Sequence, residues 1–549
     1  MIRFISLFSK LTSKVILAVT LVFSILLVFA PNSFAQTRKK VEIKRANSLK
    51  SIKRGDQTIR RLIGNVVIVH EGITMECDSA YEYTPTNIYD AFGNVVITQD
   101  GAKLYGDFLK YDGNFKEGQI FGKQVRLVDE SATLVTKSIS FNTAQSTATY
   151  NSLGVITSKD GNFSSNKGIY FSNNKHFAFN GSAVFQDTSI LINTDTLDYY
   201  TETSLVNFFG ATRIYNDENY LYCEAGWFNK DSKESNFTKN VYINNGKQEI
   251  YANSIYNSSI DSLTWAKGNA LLIDTAQNTL LYGNSMHYWQ NFKKAKVTDN
   301  PLVLSISEES DSLFLRANEL NVVTFFDSLG NESHRKLWGK GNVAFYRVDF
   351  QGKCDSMVFH STDSTLQMFT EPIIWNEENQ LTAEYIVTTF RNKTIDLMEF
   401  KGFAFVCSED LKDKRYNQVK GKEMKGFFTK GKLTRIDVTG NGESVYYVKD
   451  KEVTTSVNRG ESSSIKVSIT GKTIKSITLI EKPNAILYPL EKAKTEDVVL
   501  KDFVWKDSIR PKSKDEIIPA SLNINFYIPR KEKAENFRKT KMFPATSIQ

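Results

Sequence analysis

The sequence predicts an all-β fold, an elongated array in which one unit of about 30 residues is stacked about eleven times along a chain of 549. Three observations predict it. The first is a recurring pattern of Asp, any residue, apolar, any residue, aromatic, as in Asp107-Phe108-Leu109-Lys110-Tyr111, Asp195-Thr196-Leu197-Asp198-Tyr199 and Asp355-Ser356-Met357-Val358-Phe359. A further copy opens at Asp78-Ser79-Ala80, and looser ones start at Lys137, Lys167, Glu224, Asn253, Asn284, Asn318 and Glu384. The steps between starts are 29, 30, 30, 28, 29, 29, 31, 34, 37 and 29 residues, and a fixed period of this size means one small unit repeated.

The second observation is a companion pattern of the same period. Gly64-Asn65-Val66-Val67-Ile68 returns as Gly93-Asn94-Val95-Val96-Ile97, and more loosely at Gly181, Gly268 and Gly341. Two and four residues after the Gly, the side chain is small, apolar or aromatic, whereas the place between tolerates a charge, Arg213, after Gly210. Such a period of two marks strands with one dry and one wet face. The third observation is negative: no sustained i, i+3, i+4 apolar pattern follows residue 36, and Pro is scarce, 10 in all. Gly-Asn tolerates positive φ, so it is expected to form tight turns between strands.

In chain order, residues 1–35 read as a secretory signal. Arg3, Lys10 and Lys14 precede a largely apolar stretch from Val15 to Ala30, and Ser33-Phe34-Ala35 gives a small-x-small cleavage pattern before Gln36. An uncleaved N-terminal anchor is the competing reading. The array fills 36–300 and, with insertions at Ser305–Asp311 and Asp327–Lys336, continues through 301–447. Residues 448–500 are β-rich, with register uncertain after Asn441-Gly442, and 501–549 are expected to be a poorly ordered basic tail.

Formal charge is +8, but it is concentrated at the ends. Arg38 to Arg54 holds eight basic residues and one acid, and 530–549 holds six basic and two acidic residues, leaving the body mildly acidic. That argues against nucleic acid as a partner. Basic ends could meet an anionic membrane or simply be solvated. Cys77, Cys223 and Cys354 occupy one equivalent position in distant units. At about 4.7 Å per strand, Cys77 and Cys223 would be roughly 20 Å or more apart, so they read as buried thiols and not as a disulfide.

Little here suggests catalysis. The five His (His70, His176, His287, His334 and His360) lack metal-ligand spacing. Gly471-Lys472-Thr473 fails as a phosphate loop because Lys466 stands where the leading Gly should be. The Asp column is interrupted by Lys and Asn, so it is expected to cap turns and not to bind a cation. No enzyme activity, cofactor or metal site is expected.

With these strands in view, the chain resembles the OstA-like (organic solvent tolerance) family, most strongly at Leu62–Tyr83 and Phe92–Tyr111 and, more loosely, over about 41–440. That family includes the lipopolysaccharide transport protein LptA and the N-terminal domain of LptD. The resemblance implies a β-jellyroll, or β-taco, of stacked antiparallel strands. It implies a periplasmic protein, possible association with the inner or outer membrane included, whose apolar interior carries lipopolysaccharide acyl chains as part of a bridge. It also implies partners of the Lpt type, or further copies of the chain, joined through exposed strand edges. The array is longer than a typical LptA, and the hundred residues after 440 are too few for a large outer-membrane barrel.

The inward residues expected to touch acyl chains are Val66, Ile68, Val95, Ile97, Leu109, Tyr111, Phe141, Phe171, Phe185, Leu197, Tyr199, Ile214 and Phe228. Arg213 is expected to face outward. The alternatives are a structural β-solenoid, scaffold or adhesin, whose interior is filled by its own side chains, and a carbohydrate-active β-helix with an outer cluster of carboxylates.

Overall fold

The computed structural model describes residues 40–539 except 56, 217–218, 307–311, 393, 411–413, 451–452, 471–472 and 523–527. The segment read as a secretory signal and most of the Ser305–Asp311 insertion therefore lie outside the described residues. Among the described residues, thirty-six strands form one hydrogen-bonded sheet, and neighbours such as Leu191–Tyr200 and Leu205–Asn216 run antiparallel. Contacts divide the chain into two compact units. Unit 1 comprises residues 1–99, 103–120 and 142–144, and unit 2 comprises 100–102, 121–141 and 145–549. The division falls within the array's first third.

Many of the longer strands run to ten to twelve residues, and their pairing is interrupted once. Between Leu191–Tyr200 and Leu205–Asn216, Ile192 pairs with Ile214 and Leu197 with Phe208, but the register shifts between Asn193 and Thr196. The same shift recurs at Ile63/Val66, Lys267/Ala270 and Lys340/Val343. Each sits on the Gly-x pair of the repeat; the Gly has positive φ in all four, and x has it in three of them, as at Gly268 (+77°) and Asn269 (+47°). The Gly-Asn pair expected as a tight turn is thus a bulge inside a strand. Hydrogen bonding continues on both sides of it, so the chain bends without reversing. The reversals lie elsewhere, for example at Glu71-Gly72 and Asp100-Gly101, between Gln57–His70 and Ile73–Thr84 and between Ile88–Gln99 and Ala102–Asp112.

The Asp column caps these bulges. Asp195 Oδ2 accepts a hydrogen bond from the Ala211 backbone N–H at 3.2 Å, and a Cβ on Gly210 would lie 2.3 Å from the same oxygen. Asn253 packs against Gly268 in the same way, Asn318 against Gly341 and Glu384 against Gly402. The capping expected at a strand-start turn is therefore delivered across the ladder to the next strand. Asp327–Lys336, expected as a loop, is a turn only as far as Asn331, because Glu332 already begins the strand Glu332–Arg347.

The tail is packed along unit 2, contrary to the expected disorder. Its described part runs back over one outer face of the sheet, so that strap position rises as sheet position falls. Gln418 donates to Val498 O and accepts from Leu500 N, both at 2.9 Å. Gln380 donates to Val504 O at 2.8 Å and accepts from Lys506 N at 2.7 Å. Arg510 donates to Gln351, Arg316 to Glu516 O, and Tyr282 to Ser521. A helix, Ile528–Lys539, ends the strap: Tyr220 donates to Ala534 O at 2.7 Å, and Lys531 pairs with Glu249. Beneath it lie Tyr220, Tyr222, Tyr242, Tyr251 and Tyr282, all almost fully buried. Arg213 shares that outer face as expected, yet it is only 3% exposed.

Candidate functional site

Alternation fixes the inner face. In unit 1, Val66, Ile68, Val95, Ile97, Leu109 and Tyr111 all point inward and are at most 4% exposed. In unit 2, Phe141, Phe185, Leu197, Tyr199 and Ile214 do the same, at 8% or less. Phe228 is inward too, since it pairs with Val206, but it is only half-buried, with its ring 5.3 Å from that of Phe185. Phe171 is the exception. In the short strand Lys167–Phe171 the buried residues are Gly168 and Tyr170, so Phe171 lies on the outer face. There it stacks on His176, which stacks in turn on Tyr200.

The strands bend far enough for their two ends to meet. In unit 1, the Tyr111 hydroxyl and His70 Nδ1 are 2.7 Å apart. Their strands, Ala102–Asp112 and Gln57–His70, are separated by two others, Ile73–Thr84 and Ile88–Gln99. Three strand spacings are about 14 Å in a flat sheet, so only a folded sheet brings these ends together. Lys116 and Glu71 make the same crossing as an ion pair of 2.5 Å. Burial pushes the Tyr111 hydroxyl up to about 12, so it remains protonated.

Unit 2 repeats the device with carboxylates. Tyr170 donates to Asp129, which also pairs with Lys175 at 3.0 Å. Tyr199 donates to Asp160 at 2.7 Å, and Lys230 pairs with Asp187 at 2.9 Å while also donating to Asp160 O. Behind these ties the interior is filled by its own rings. Phe163 lies 4.3 Å from Tyr199, 4.7 Å from Phe185 and 5.4 Å from Phe179, centroid to centroid. Further along, a second filled core runs from Val343 and Phe345 through Met368, Phe400 and Val438 to Val467.

Between these filled regions the inner face changes character. Among the described residues, the ties that join the two edges stop at Lys230 and Asp231, the latter paired with Lys159, and resume at Arg335, which donates to Gln277 at 2.8 Å. Within that interval, Leu221, Phe228, Phe237, Ile243, Ile250, Leu272 and Leu281 are inward but only half-buried. Gly226 stands between Phe208 and Phe237, and the Phe208 ring fills the space over it. Towards the edge the row turns polar through Ser235, Asn257 and Thr264, with Thr264 donating to Asn257 at 2.9 Å. This half-buried apolar stretch, with a polar lip and untied edges, is the candidate site. Of the residues named from sequence, only Phe228 belongs to it. Phe237, Ile250, Leu272 and Leu281 were missed, although the same alternation in the looser copies could have found them.

The arrangement can shelter apolar chains and offers no reactive group. Among the described residues no cluster of His, Cys, Asp or Glu could hold a metal ion.

Comparison with known proteins gives the following likenesses. Residues 38–188 and 181–253 match the family described as OstA-like protein. No curated protein matches the chain. A crystal structure of LptH, the LptA homologous periplasmic component of the lipopolysaccharide transport device from Pseudomonas aeruginosa, is similar over 20% of this chain and 81% of that one. Its sequence identity is 19% and the TM-score 0.18.

Proposed function

Since the chain is OstA-like over residues 38–253, we propose that it is a periplasmic lipopolysaccharide-transport protein. It forms part of the bridge to the outer membrane and shelters acyl chains in the folded sheet. One observation carries the reading: the inner stretch from Leu221 to Leu281 is apolar, many of its side chains are only half-buried, and among the described residues no tie joins its edges. An acyl chain in water costs about 0.8 kcal/mol for each exposed CH₂. Contact with Phe228, Phe237, Ile250 and Leu272 offsets that cost without any bond being made or broken, so the work of extraction falls to a partner.

Partners would join through strand edges. Among the described residues, Ser48–Arg54 pairs with Gln57–His70 alone, and Leu49 and Ile52 in it are half exposed. Asn484–Pro489 pairs with Val453–Thr470 and exposes Ile486 and Leu487. Such edges are templates for another chain.

A structural scaffold is the second reading, favoured by the ring-filled interior around Phe163. Photoreactive residues placed at Phe237 and Ile250 decide between them. Crosslinks to lipopolysaccharide in intact envelopes are expected from both positions and not from the outward, exposed Lys110. Labelling from Lys110 alone would sink the transport reading.

A further inference from the structure

The two outer faces of unit 2 differ. One lies under the strap; the other is bare and carries most of the chain's tryptophan. Cross-strand pairing places Trp227, Asn236, Tyr256, Trp265, His287, Lys296, Asn321 and Trp338 in one row, each opposite the next. All share the face opposite the inner Gly226 and Phe237. Four of the six Trp of the chain lie on this face, Trp289 being the fourth. At ~4.8 Å per strand the row is roughly 34 Å long.

Its rings are arranged as platforms. Trp265 and His287 are 5.0 Å apart at 16° between planes, and His287 and Trp289 are 5.7 Å apart at the same angle. Phe325 and His334 continue the face, 4.4 Å apart and nearly parallel. Aromatic cross-strand pairs stabilise a sheet by themselves, but they do not require lysines beside the rings. Here Lys267, Lys294 and Lys336 stand over Trp265, Trp289 and Trp338 at 5.3, 5.7 and 5.1 Å. With Lys296 and Lys340 they outnumber the face's acids, Glu234 and Glu319, and Glu319 is already tied to Lys296 at 2.7 Å. Lys296 and burial together hold the His287 imidazole below its ordinary value, burial contributing more, so that ring stays neutral and stackable.

We infer that this outer face binds an acidic oligosaccharide, laid along the row from Trp227 to Trp338. Flat sugar rings present C–H faces to the indoles, and uronate or phosphate groups meet the lysines, which swing from ring to anion. The strand spacing is close to the rise of one sugar along an extended glycan, so the five rings among the row's eight positions fall in step with successive sugars. The site is separate from the inner trough and stands whether or not lipid is carried.

The test is titration of the full chain, followed by tryptophan fluorescence and calorimetry. The probes are a galacturonate hexamer, a neutral glucose hexamer and oligo-dT. The uronate is expected to bind at least tenfold more tightly than the neutral glycan. K267M/K294M/K336M, which leaves the rings and the ladder in place, should weaken uronate binding at least tenfold without shifting the melting temperature. Absence of uronate binding, equal binding of the neutral hexamer, tighter binding of oligo-dT or an unaffected triple variant would each overturn the inference. A Phe237→Ser variant, altered only in the trough, should keep full uronate affinity.

Discussion

Asp78 occupies the space that a side chain on Gly93 would need: a Cβ there would lie 2.4 Å from Asp78 Oδ2. The same carboxylate accepts from Asn94 Nδ2 at 2.9 Å, and Gly93 has φ +74°. Gly93→Ala therefore combines a left-handed backbone with a collision. It should destabilise unit 1 by about 1–3 kcal/mol, read from urea unfolding. Asp78→Ala removes the collision, so the double variant should recover part of the loss; strict additivity would refute the pairing.

The edge ties in unit 2 should weaken in acid. Burial alone would raise the Asp187 carboxyl, but the Lys230 ammonium and the Ser189 and Ile190 amides hold it below its ordinary value. A carboxyl depressed in the folded state contributes stability above its unfolded pKa, about 3.9, and loses it as pH falls through the folded value. Hydrogen exchange at residues 187–190 and 230–233 should thus accelerate below about pH 4. Asp187→Asn should show the faster exchange already at pH 7 and no further step.

The glutamine clamps should decide whether the strap stays down. Gln380 and Gln418 are each 2% exposed, and each satisfies one backbone N–H and one C=O of the strap. Removing one leaves two buried polar groups unpaired, about 1–3 kcal/mol apiece. Gln380→Ala and Gln418→Ala should open residues 498–506 to protease while the sheet remains protected. Equal resistance of wild type and the double variant would show that apolar contacts hold the strap by themselves.

The four thiols should report unfolding. Burial pushes Cys77 up to about 11 and Cys354 and Cys407 up to about 12, and it moves Cys223 in the same direction. All are neutral and enclosed at pH 8, so an aromatic disulfide reagent should find none of the four in the native protein and all four in denaturant. A rapidly reacting thiol in the folded state would contradict the packing.

The strands, their alternation and both repeating columns were legible because a period repeated eleven times averages out local noise. Gly93 and Asp78 were each found; their partnership was not, since it is made across the ladder. Phe171 shows the cost of a one-residue slip. The strand is broken after Ser165 in place of a bulge, so the inward residue is Tyr170, and a slip of one flips the face. The strap was illegible for a different reason. Residues 490–522 have no periodicity of their own, and their course is dictated by Gln418, Gln380 and Gln351, far away in sequence. In the helix Ile528–Lys539, the buried Ala534 is too small to signal an apolar stripe, and Arg530 and Lys531 reach Asn253 and Glu249 through polar contacts that leave no periodic pattern.

The strap also acts as a ruler. Its contacts run from Val498 at Gln418 to Ala534 at Tyr220 in a single ordered series. Adding or removing one unit between those points would leave every later contact out of step by the width of that unit. A repeat array can ordinarily gain or lose copies at little cost, but here the chain's own end counts them, and a miscount leaves a row of tyrosines uncovered.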